Sequence, residues 1–322
     1  MSDNLKSKKV VLFGAGAMAR DYSKVLTKLE IDFEVVGKSK SGVKKFFSDT
    51  GIEAVPGGVA GWKKNRDNDI KSAIVAVNLE ELSQTAIDLM ECGVQDILLE
   101  KPGGINLEEI ERVKNRADAT GTKVWVAYNR RFYASVLKAQ EVIIEDGGVK
   151  SFHFEFTEWS HVILDRVKSE VAKKNWFLAN SSHVLDMAFM LGGVPREIES
   201  FTTGGCDWHP SAAIFTGSGV SKLGALFSYH ANWLAPGRWS VEILTRNNRL
   251  VLMPLEKLKV QRKKSATVDF LDINDCLDRD FKPGLFKQTE LFLKGANHKN
   301  FLRIGNHFEN VNLYFQRILH PH

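Results

Sequence analysis

The first part of the chain alternates short apolar runs with longer segments in which apolar residues recur at helical spacing. A short apolar run that ends at turn residues is typical of a strand buried on both faces of a parallel sheet. The predicted elements are, in order, strand 9–13, helix 17–29, strand 33–36, strand 72–77, helix 80–92, strand 96–100, helix 107–120 and strand 123–127. This alternation predicts a doubly wound parallel α/β sheet, in a first domain that we expect to span residues 1–125.

The pattern changes after about residue 148. Residues 151–159 alternate bulky apolar with polar residues, which is typical of an antiparallel strand with one buried and one wetter face. One helix is predicted from Ser181 to Leu191, ended by two glycines. Further strand patterns cover residues 197–203, 212–217, 222–230, 239–245 and 249–253. We therefore expect residues 126–322 to form an α+β domain with a large, mostly antiparallel sheet.

The composition is that of a globular protein and does not by itself identify a function. A chain of 322 residues, 43% of them apolar, is long enough for two globular domains. Its 44 basic and 39 acidic residues leave a net charge of +5, which suits an anionic small ligand but is too small to predict nucleic-acid binding. Three cysteines without metal-type spacing predict neither a metal site nor a disulfide framework.

The sequence also carries no pattern that predicts export or membrane insertion. No apolar run approaches the length that spans a bilayer, and the first residues lack the apolar core of a signal peptide. An odd number of cysteines suits a reducing compartment. We therefore expect a cytoplasmic protein without a membrane partner.

Residues 14–19, which follow the first predicted strand, read Gly-Ala-Gly-Ala-Met-Ala. They match the G-x-G-x-x-G/A pattern, in which glycine lets the backbone approach a pyrophosphate and the next helix offers free N–H groups. Gly14, Gly16, Ala17 and Met18 are therefore predicted to bind the phosphates of a dinucleotide. The alternative is a strand–helix turn without a ligand, and the strand–turn–helix context disfavours it.

The end of the second predicted strand bears on which dinucleotide binds. An acidic residue there would bind the ribose hydroxyls of NAD, but this chain has Lys38-Ser39-Lys40, and its acidic residues come too early. Two lysines and a hydroxyl suit a 2′-phosphate, so Lys38, Ser39 and Lys40 predict NADP(H) in preference to NAD(H). The alternative is that both lysines lie in a solvated loop. Asn78, just after the strand 72–77, is also expected to face the cofactor.

Glu100-Lys101-Pro102 lies where the strand 96–100 leaves the sheet, at the edge where open α/β sheets bind ligands. Pro102 disfavours helix at Lys101, so we expect Lys101 in an extended turn beside the nicotinamide. A lysine there can exchange a proton with a substrate oxygen while a hydride moves at carbon. Lys101 is therefore predicted to be catalytic, and Glu100 and Lys101 to contact the cofactor.

Together with the segments 128–132 (Tyr-Asn-Arg-Arg-Phe) and 183–186 (His-Val-Leu-Asp), these motifs resemble the glucose–fructose oxidoreductase and inositol dehydrogenase family (Gfo/Idh/MocA) in order and spacing. The resemblance covers essentially the whole chain and implies a Rossmann domain followed by an open-faced antiparallel sheet. It implies homodimer or homotetramer contacts through that sheet, and oxidation or reduction of one carbon of a sugar, polyol or nucleotide sugar. It also implies that Lys101, often beside a cis peptide, is the acid/base and that His183 is the active-site histidine.

The region before His183 departs from the pattern of the family. Many members carry Asp four residues earlier, where this chain has Ala179 followed by Asn180. Asn180 can replace a hydrogen bond but not a carboxylate charge. The catalytic role is therefore assigned to Lys101 and His183. We expect Asn180 or Ser181 to cap the helix, whose positive end would keep His183 neutral.

Four residues are predicted to bind a hydroxylated or anionic substrate: Tyr128, Asn129, Arg130 and Asn180. A structural ion pair is the alternative for Arg130, and a structural role is favoured for Asp186. Three tryptophans are candidates for stacking on a sugar, although a place in the core is favoured for tryptophan in a sheet: Trp176, Trp233 and Trp239.

The leading hypothesis is an NADP(H)-dependent oxidoreductase that acts on a carbinol or keto carbon of a sugar-type substrate, with Lys101 as acid/base and His183 assisting. A cofactor-sensing regulator without turnover is a second hypothesis, which the alanine at 179 favours weakly. A reductase of a C=N or enone substrate is a third, because the same scaffold can serve it.

Overall fold

The computed structural model describes residues 8–65 and 70–321, so residues 1–7 and 66–69 of the predicted first domain lie outside the described residues. Its strands are, in chain order, β1 (Lys9–Phe13), β2 (Asp32–Val36), β3 (Ser72–Val75), β4 (Asp96–Glu100), β5 (Lys123–Ala127), β6 (Ser151–Phe156), β7 (Pro195–Thr203), β8 (Ile214–Ser221), β9 (Leu226–Asn232), β10 (Trp239–Leu244), β11 (Asn248–Leu252), β12 (Lys259–Arg262), β13 (Asp269–Phe270) and β14 (Leu302–Arg303).

The α-helices are α1 (Ala17–Lys28), α2 (Lys40–Thr50), α3 (Gly58–Asn65), α4 (Leu82–Glu91), α5 (Leu107–Thr120), α6 (Ala134–Glu145), α7 (Ser160–Arg166), α8 (Glu170–Lys174), α9 (Ser182–Gly192), α10 (Cys276–Asp280), α11 (Leu285–Leu293), α12 (Ile304–Asn310) and α13 (Gln316–Leu319). Two short 3-10 segments cover Leu79–Glu81 and Asn129–Phe132, and two π-helical turns cover Phe177–Ser181 and Val311–Phe315. Across the described ranges, no helix is both long enough and apolar enough to cross a membrane.

The chain divides into two compact units. The first lies within residues 1–129 and 279–308, and the second within 130–278 and 309–322. The first unit is built on a sheet with the strand order β14-β5-β4-β3-β1-β2, in which β1 to β5 run parallel. Residues Val10 to Phe13 of β1 are at most 1% exposed, as expected for a strand covered on both faces. The predicted doubly wound sheet is confirmed.

The last strand of this sheet comes from the far end of the chain. β14 pairs antiparallel with β5, with Leu302 opposite Val126 and Arg303 opposite Trp125. The guanidinium of Arg303 lies 4.6 Å from the centre of the Trp125 ring, which adds a cation–π contact to the pairing. Two continuous domains, 1–125 and 126–322, were expected from the sequence, whereas residues 279–308 return to the first unit. A two-residue strand is too short for its hydrophobic pattern to reveal it.

The second unit is built on a sheet with the order β13-β12-β11-β10-β6-β9-β8-β7. Its neighbouring strands are antiparallel except for β6 and β9, which run parallel. The predicted mostly antiparallel sheet is therefore confirmed. The predicted strand 222–230 begins too early, because residues 222–225 form the turn between β8 and β9.

Helix α9 packs on the apolar face of this sheet. The phenylalanines of β6 are buried, and the Phe154 ring lies 5.3 Å from that of Phe189 on α9. At the end of α9, a Cβ at Gly192 would lie 2.4 Å from the Phe152 ring, so only glycine fits there. Ser151, His153 and Glu155 of β6 lie on the opposite face and are half-buried.

Candidate active site

The glycine turn of the first unit has the geometry that a close backbone approach requires. Gly14 follows β1 with a φ of +126°, and a Cβ there would lie 2.2 Å from the Ala76 oxygen at the end of β3. Gly16 is the N-cap residue of α1, and a Cβ at Gly16 would have no atom within 4 Å. The start of α1, with Ala17 and Met18 in its first turn, is therefore open on the side of Gly16 to a ligand that accepts its N–H groups.

A lysine that the sequence analysis missed lies beside this turn. Lys282 Nζ is 2.9 Å from the Met18 sulfur and 3.8 Å from Asp21 Oδ2. The segment that carries it is held by Asn129, whose Nδ2 donates to the Pro283 oxygen at 2.8 Å. The first turn of α1 contains no acidic residue. Lys282 therefore adds positive charge at the positive end of a helix, an arrangement that favours an anion.

The residues after β2 are partly committed to contacts within the unit. Ser39 Oγ accepts a hydrogen bond from Gly42 N at 3.0 Å and so caps α2. Lys38 forms an exposed ion pair with Glu81, and that hydrogen bond and charge raise the pKa of Lys38. Lys40, the first residue of α2, is exposed, as is Asn78 after β3. The structure thus places all four residues beyond the carboxyl ends of β2 and β3, with Lys38 held by Glu81.

Glu100 and Lys101 differ in what their side chains can do. Glu100 is 8% exposed and accepts a hydrogen bond from Tyr22 Oη at 2.7 Å. Burial raises the pKa of Glu100. Its carboxyl group is therefore engaged inside the unit, which differs from the predicted cofactor contact. Lys101 is half-buried after β4, and its peptide bond to Pro102 is cis.

Tyr128 and Asn129 do not lie where substrate binding was predicted. The Tyr128 side chain is fully buried in the first unit, where its ring packs 5.4 Å from that of His307. The Asn129 amide is bound to Pro283, as described above. Both side chains thus support the returning segment 279–308. Strand-end position alone cannot separate such inward residues from those that face a ligand.

The second unit contains a cavity of about 400 Å³, formed entirely by residues between 130 and 256. Two of the predicted residues, Arg130 and Asn180, line it. Trp176 and Trp239, proposed as sugar-stacking candidates, also line the cavity, whereas Trp233 is 1% exposed and stacks on Trp208 in the core.

Glu158 is a buried acidic residue of the cavity that was not predicted from the sequence. It accepts hydrogen bonds from Ser181 Oγ at 2.6 Å and from Asn180 Nδ2 at 3.1 and 3.2 Å to its two oxygens. Burial raises the pKa of Glu158 to about 7, and these hydrogen bonds and the charge of Arg130 oppose the rise. The signal was present in the sequence, because Glu158 continues the register of Phe152, Phe154 and Phe156 toward the buried face.

The predicted capping of α9 by Asn180 or Ser181 is wrong. Ser181 has helical backbone angles, φ −61° and ψ −27°, because the π-helical turn Phe177–Ser181 runs directly into α9. His183 therefore does not lie at a free helix start, and the dipole argument for its neutral state does not hold. Its side chain is 6% exposed, and its ring centre lies 6.4 Å from that of Trp239.

Arg130 also contacts Trp239. Its guanidinium is 4.5 Å from the Trp239 ring centre, and its Nε donates to Tyr133 Oη at 3.1 Å. Its Nη1 is buried and has no hydrogen-bond partner among the described residues. A buried guanidinium nitrogen without an acceptor is costly, so this group is suited to a ligand oxygen.

Asp186 has the structural role that the sequence favoured. Its oxygens accept hydrogen bonds from Arg131 Nε and Nη2, both at 2.6 Å, and the two side chains are 2% and 8% exposed. Burial raises the pKa of Asp186, and the Arg131 charge opposes that rise. The pair fixes the 3-10 segment Asn129–Phe132 to α9 and leaves Asp186 outside the candidate chemistry.

Residues 8–128 match a family model described as "Oxidoreductase family, NAD-binding Rossmann fold" (GFO_IDH_MocA). No curated protein sequence is similar enough to count as a match. Solved structures of the same fold include UDP-N-acetylglucosamine 3-dehydrogenase GnnA from Acidithiobacillus ferrooxidans, with a TM-score of 0.72, 13% identity and 96% of each chain covered.

Two further structures were solved with bound ligands. An oxidoreductase from Agrobacterium radiobacter, in complex with NAD+, L-tartaric acid and magnesium, has a TM-score of 0.77 at 13% identity and covers 95% of this chain and 94% of its own. The WlbA dehydrogenase from Chromobacterium violaceum, in complex with NADH and UDP-GlcNAcA, has a TM-score of 0.71 at 15% identity and covers 97% and 92%. At these identities the likeness establishes the fold.

Proposed function

We propose that this chain transfers a hydride between a nicotinamide cofactor and a carbinol or keto carbon of a sugar, polyol or nucleotide sugar, because residues 8–128 match the model of the NAD-binding Rossmann-fold oxidoreductases (Gfo/Idh/MocA). The observation that carries the proposal is the position of Lys101 beyond β4, on the same sheet edge as the glycine turn beyond β1. In open α/β sheets this edge binds the ligand.

The residues of this edge fit a dinucleotide. The open side of Gly16 and the uncapped start of α1 suit a pyrophosphate, and Lys282 supplies a compensating charge. Lys40 and Asn78 are exposed on the neighbouring strand ends, whereas Lys38 pairs with Glu81 and Ser39 caps α2. When bound, the nicotinamide donates or accepts the hydride.

The chemical role that remains for the chain is proton exchange at the substrate oxygen. An alcohol that loses a hydride must also lose a proton, and a carbonyl that gains a hydride must gain one. Lys101 is half-buried beyond β4, and an amine there can exchange a proton with a substrate oxygen. We assign Lys101 as the acid/base and His183 as an assisting group.

The cavity of the second unit is proposed to bind the substrate. It offers the mixture of aromatic walls and few polar groups that ligand sites show. GnnA is a dehydrogenase of UDP-N-acetylglucosamine, and WlbA was crystallised with UDP-GlcNAcA, so relatives of this fold act on or bind nucleotide sugars. We extend only the class, a sugar-type small molecule, to this chain. We also propose a cytoplasmic homodimer or homotetramer that associates through the polar face of the second sheet.

The proposed function is tested by separating cofactor binding from turnover. We expect NAD(P)H to bind, as measured by nicotinamide fluorescence. We also expect the chain to turn over one member of a panel of sugars, polyols and nucleotide sugars, as measured by the change in nicotinamide absorbance at 340 nm. Binding without turnover on the whole panel would contradict the proposal and support a cofactor-sensing regulator. Turnover of only an imine or an enone would instead support the C=N or enone reductase.

We further expect NADP(H) to bind more tightly than NAD(H). The end of β2 carries no acid to bind the ribose hydroxyls, and Lys40 is exposed beside it. Glu81 holds Lys38, so Glu81→Gln should release that lysine and strengthen NADP(H) binding, by up to about tenfold for one charged hydrogen bond.

Fluorescence titration of the unmodified chain, Glu81→Gln and Lys40→Ala with both cofactors measures this preference. Lys45→Ala is the matched control, because Lys45 lies on the same helix and pairs with Asp49. Tighter binding of NAD(H) by the unmodified chain would refute the preference.

A further inference from the structure

The cavity of the second unit is richer in cations than a neutral sugar requires. Three arginines line it, Arg130, Arg166 and Arg238, against two acidic residues, Glu158 and Glu256. Arg130 carries the buried Nη1 that has no acceptor within the described residues. Arginine presents several donors in a planar fork that matches carboxylate and phosphate oxygens.

Each of two arginines is held against an aromatic wall of the cavity. Arg130 lies over Trp239 at 4.5 Å, and Arg238 lies over Trp159 at 5.0 Å. The Trp159 indole is itself fixed, because its Nε1 donates to the Gly237 oxygen at 2.7 Å. Such stacking orients a guanidinium without consuming its N–H donors, which stay available to a ligand.

The carboxyl group of Glu158, a hydrogen-bond acceptor in the cavity, is also held in place. Asn180 and Ser181 hold the Glu158 carboxyl group through three hydrogen bonds. A carboxyl oxygen has more than one acceptor position, so Glu158 can still accept a hydrogen bond from a ligand hydroxyl. The cavity thus combines cationic donors, indole faces and an anchored acceptor within about 400 Å³, a volume in the range of small-molecule sites.

We propose that this cavity binds a sugar ring that carries an anionic substituent, a carboxylate or a phosphate, with Arg130 and Arg238 binding the anion and Glu158 accepting a hydrogen bond from a ring hydroxyl. The inference rests on the proposed function and narrows its substrate class. The indoles of Trp176 and Trp239 supply faces for the apolar side of the ring.

The test compares three probes that differ in charge: D-glucuronate, D-glucose 6-phosphate and D-glucose. Quenching of tryptophan fluorescence reports binding without any turnover, because three tryptophans line the cavity. We expect at least one anionic sugar to bind about tenfold or more tightly than glucose, the scale of one charged hydrogen bond. A preference for glucuronate identifies a carboxylate, and a preference for glucose 6-phosphate identifies a phosphate. Equal affinities for all three probes would overturn the proposal.

The variants locate the anion. Arg130→Met keeps an apolar stem near Trp239 and removes the charge, and it should lower the affinity for the preferred anionic sugar to that for glucose. Arg238→Met, at an exposed residue, is a second variant that does not depend on burial. Arg196→Met is the matched control, because Arg196 is exposed and pairs with Glu197 outside the cavity. The proposal would also be overturned if the preference for the anionic sugar over glucose were lost only in the Arg196→Met control, or in none of the three variants.

A pH series tests the part assigned to Glu158. The groups that face its carboxyl are Ser181, Trp176, Asn180 and Arg130. The other charged groups of the cavity are Arg166, Arg238 and Glu256. Because the pKa of Glu158 is about 7, its ionisation adds a negative charge beside the ligand above that pH. The series uses D-glucuronate, whose carboxylate stays ionised between pH 6 and 8, because a sugar phosphate itself titrates at about pH 6. The preference for D-glucuronate over glucose should fall over that range, and Glu158→Gln should remove that fall. An unchanged slope in this variant would refute the assignment of Glu158.

The same measurements separate this inference from the proposed function. NAD(P)H binding, followed by nicotinamide fluorescence, reports on the first unit. Cofactor binding without a preference among the three sugars defeats only the inference. A preference for an anionic sugar without cofactor binding or turnover defeats the proposed function.

Discussion

Lys101→Ala should lower kcat by at least about a hundredfold, the usual scale for loss of a catalytic acid or base. The residue lies beyond β4, on the sheet edge that also presents the glycine turn, and it is half-buried. Alanine removes the group assigned as the acid/base that exchanges a proton with the substrate oxygen. The affinity for NAD(P)H should change far less, because we assign most of that binding to the glycine turn and the start of α1.

Two further variants make this result specific. Lys101→Arg keeps the charge but is always protonated, so it should be as inactive as alanine if proton exchange is the role. Lys71→Ala, at an exposed lysine of the same unit, should keep full activity. Measured kcat and KM with the best substrate of the panel decide the question. Near-normal turnover by Lys101→Ala, or rescue by arginine, would reject the acid/base assignment.

Arg131→Ala should destabilise the chain by about 3–5 kcal/mol, the cost of leaving one member of a buried ion pair without its partner. The partner is Asp186, which is 2% exposed and bound by two hydrogen bonds of 2.6 Å. An unpaired carboxylate in that position must either stay charged in an apolar setting or take up a proton. The free energy of unfolding, obtained from urea titration, measures the loss.

A double variant separates the attraction between Arg131 and Asp186 from the cost of burying an unpaired charge. Replacing both members, Arg131→Met with Asp186→Leu, should be less damaging than Arg131→Ala alone, because no unpaired charge remains. Arg196→Ala breaks an exposed pair and should cost at most about 1 kcal/mol. If Arg131→Ala costs no more than this exposed control, the Arg131–Asp186 pair is not a stabilising element of the second unit.

The elements that follow from local pattern were predicted well. The apolar runs that became β1, β4 and β5 are continuous and end at turn residues, so their burial on both faces is readable from the sequence. The glycine turn was predicted for the same reason, since its sequence, its preceding strand and its following helix lie next to one another. Each of these features depends on contacts close in the chain.

The features that were missed depend on contacts between distant segments. Lys282 reaches the start of α1 from the returning segment, and no local pattern marks it. Asn180 and Ser181 have the chemistry of capping residues, but the π-helical turn before α9 removes the free helix end and Glu158 takes their hydrogen bonds. Arg131 and Asp186 are charged residues whose pairing becomes apparent only when the 3-10 segment meets α9. Sequence spacing could not assign a partner to any of them.

The return of residues 279–308 to the first unit has a consequence for folding during translation. β5 gains its neighbour β14 only when Leu302 has been synthesised, long after Val126 with which it pairs. Until then β5 presents an open strand edge, the kind of surface that invites pairing with another nascent chain. The first unit therefore completes its folding late, although most of its sequence is translated first. A fragment that stops at residue 129 should accordingly aggregate rather than yield a stable cofactor-binding module.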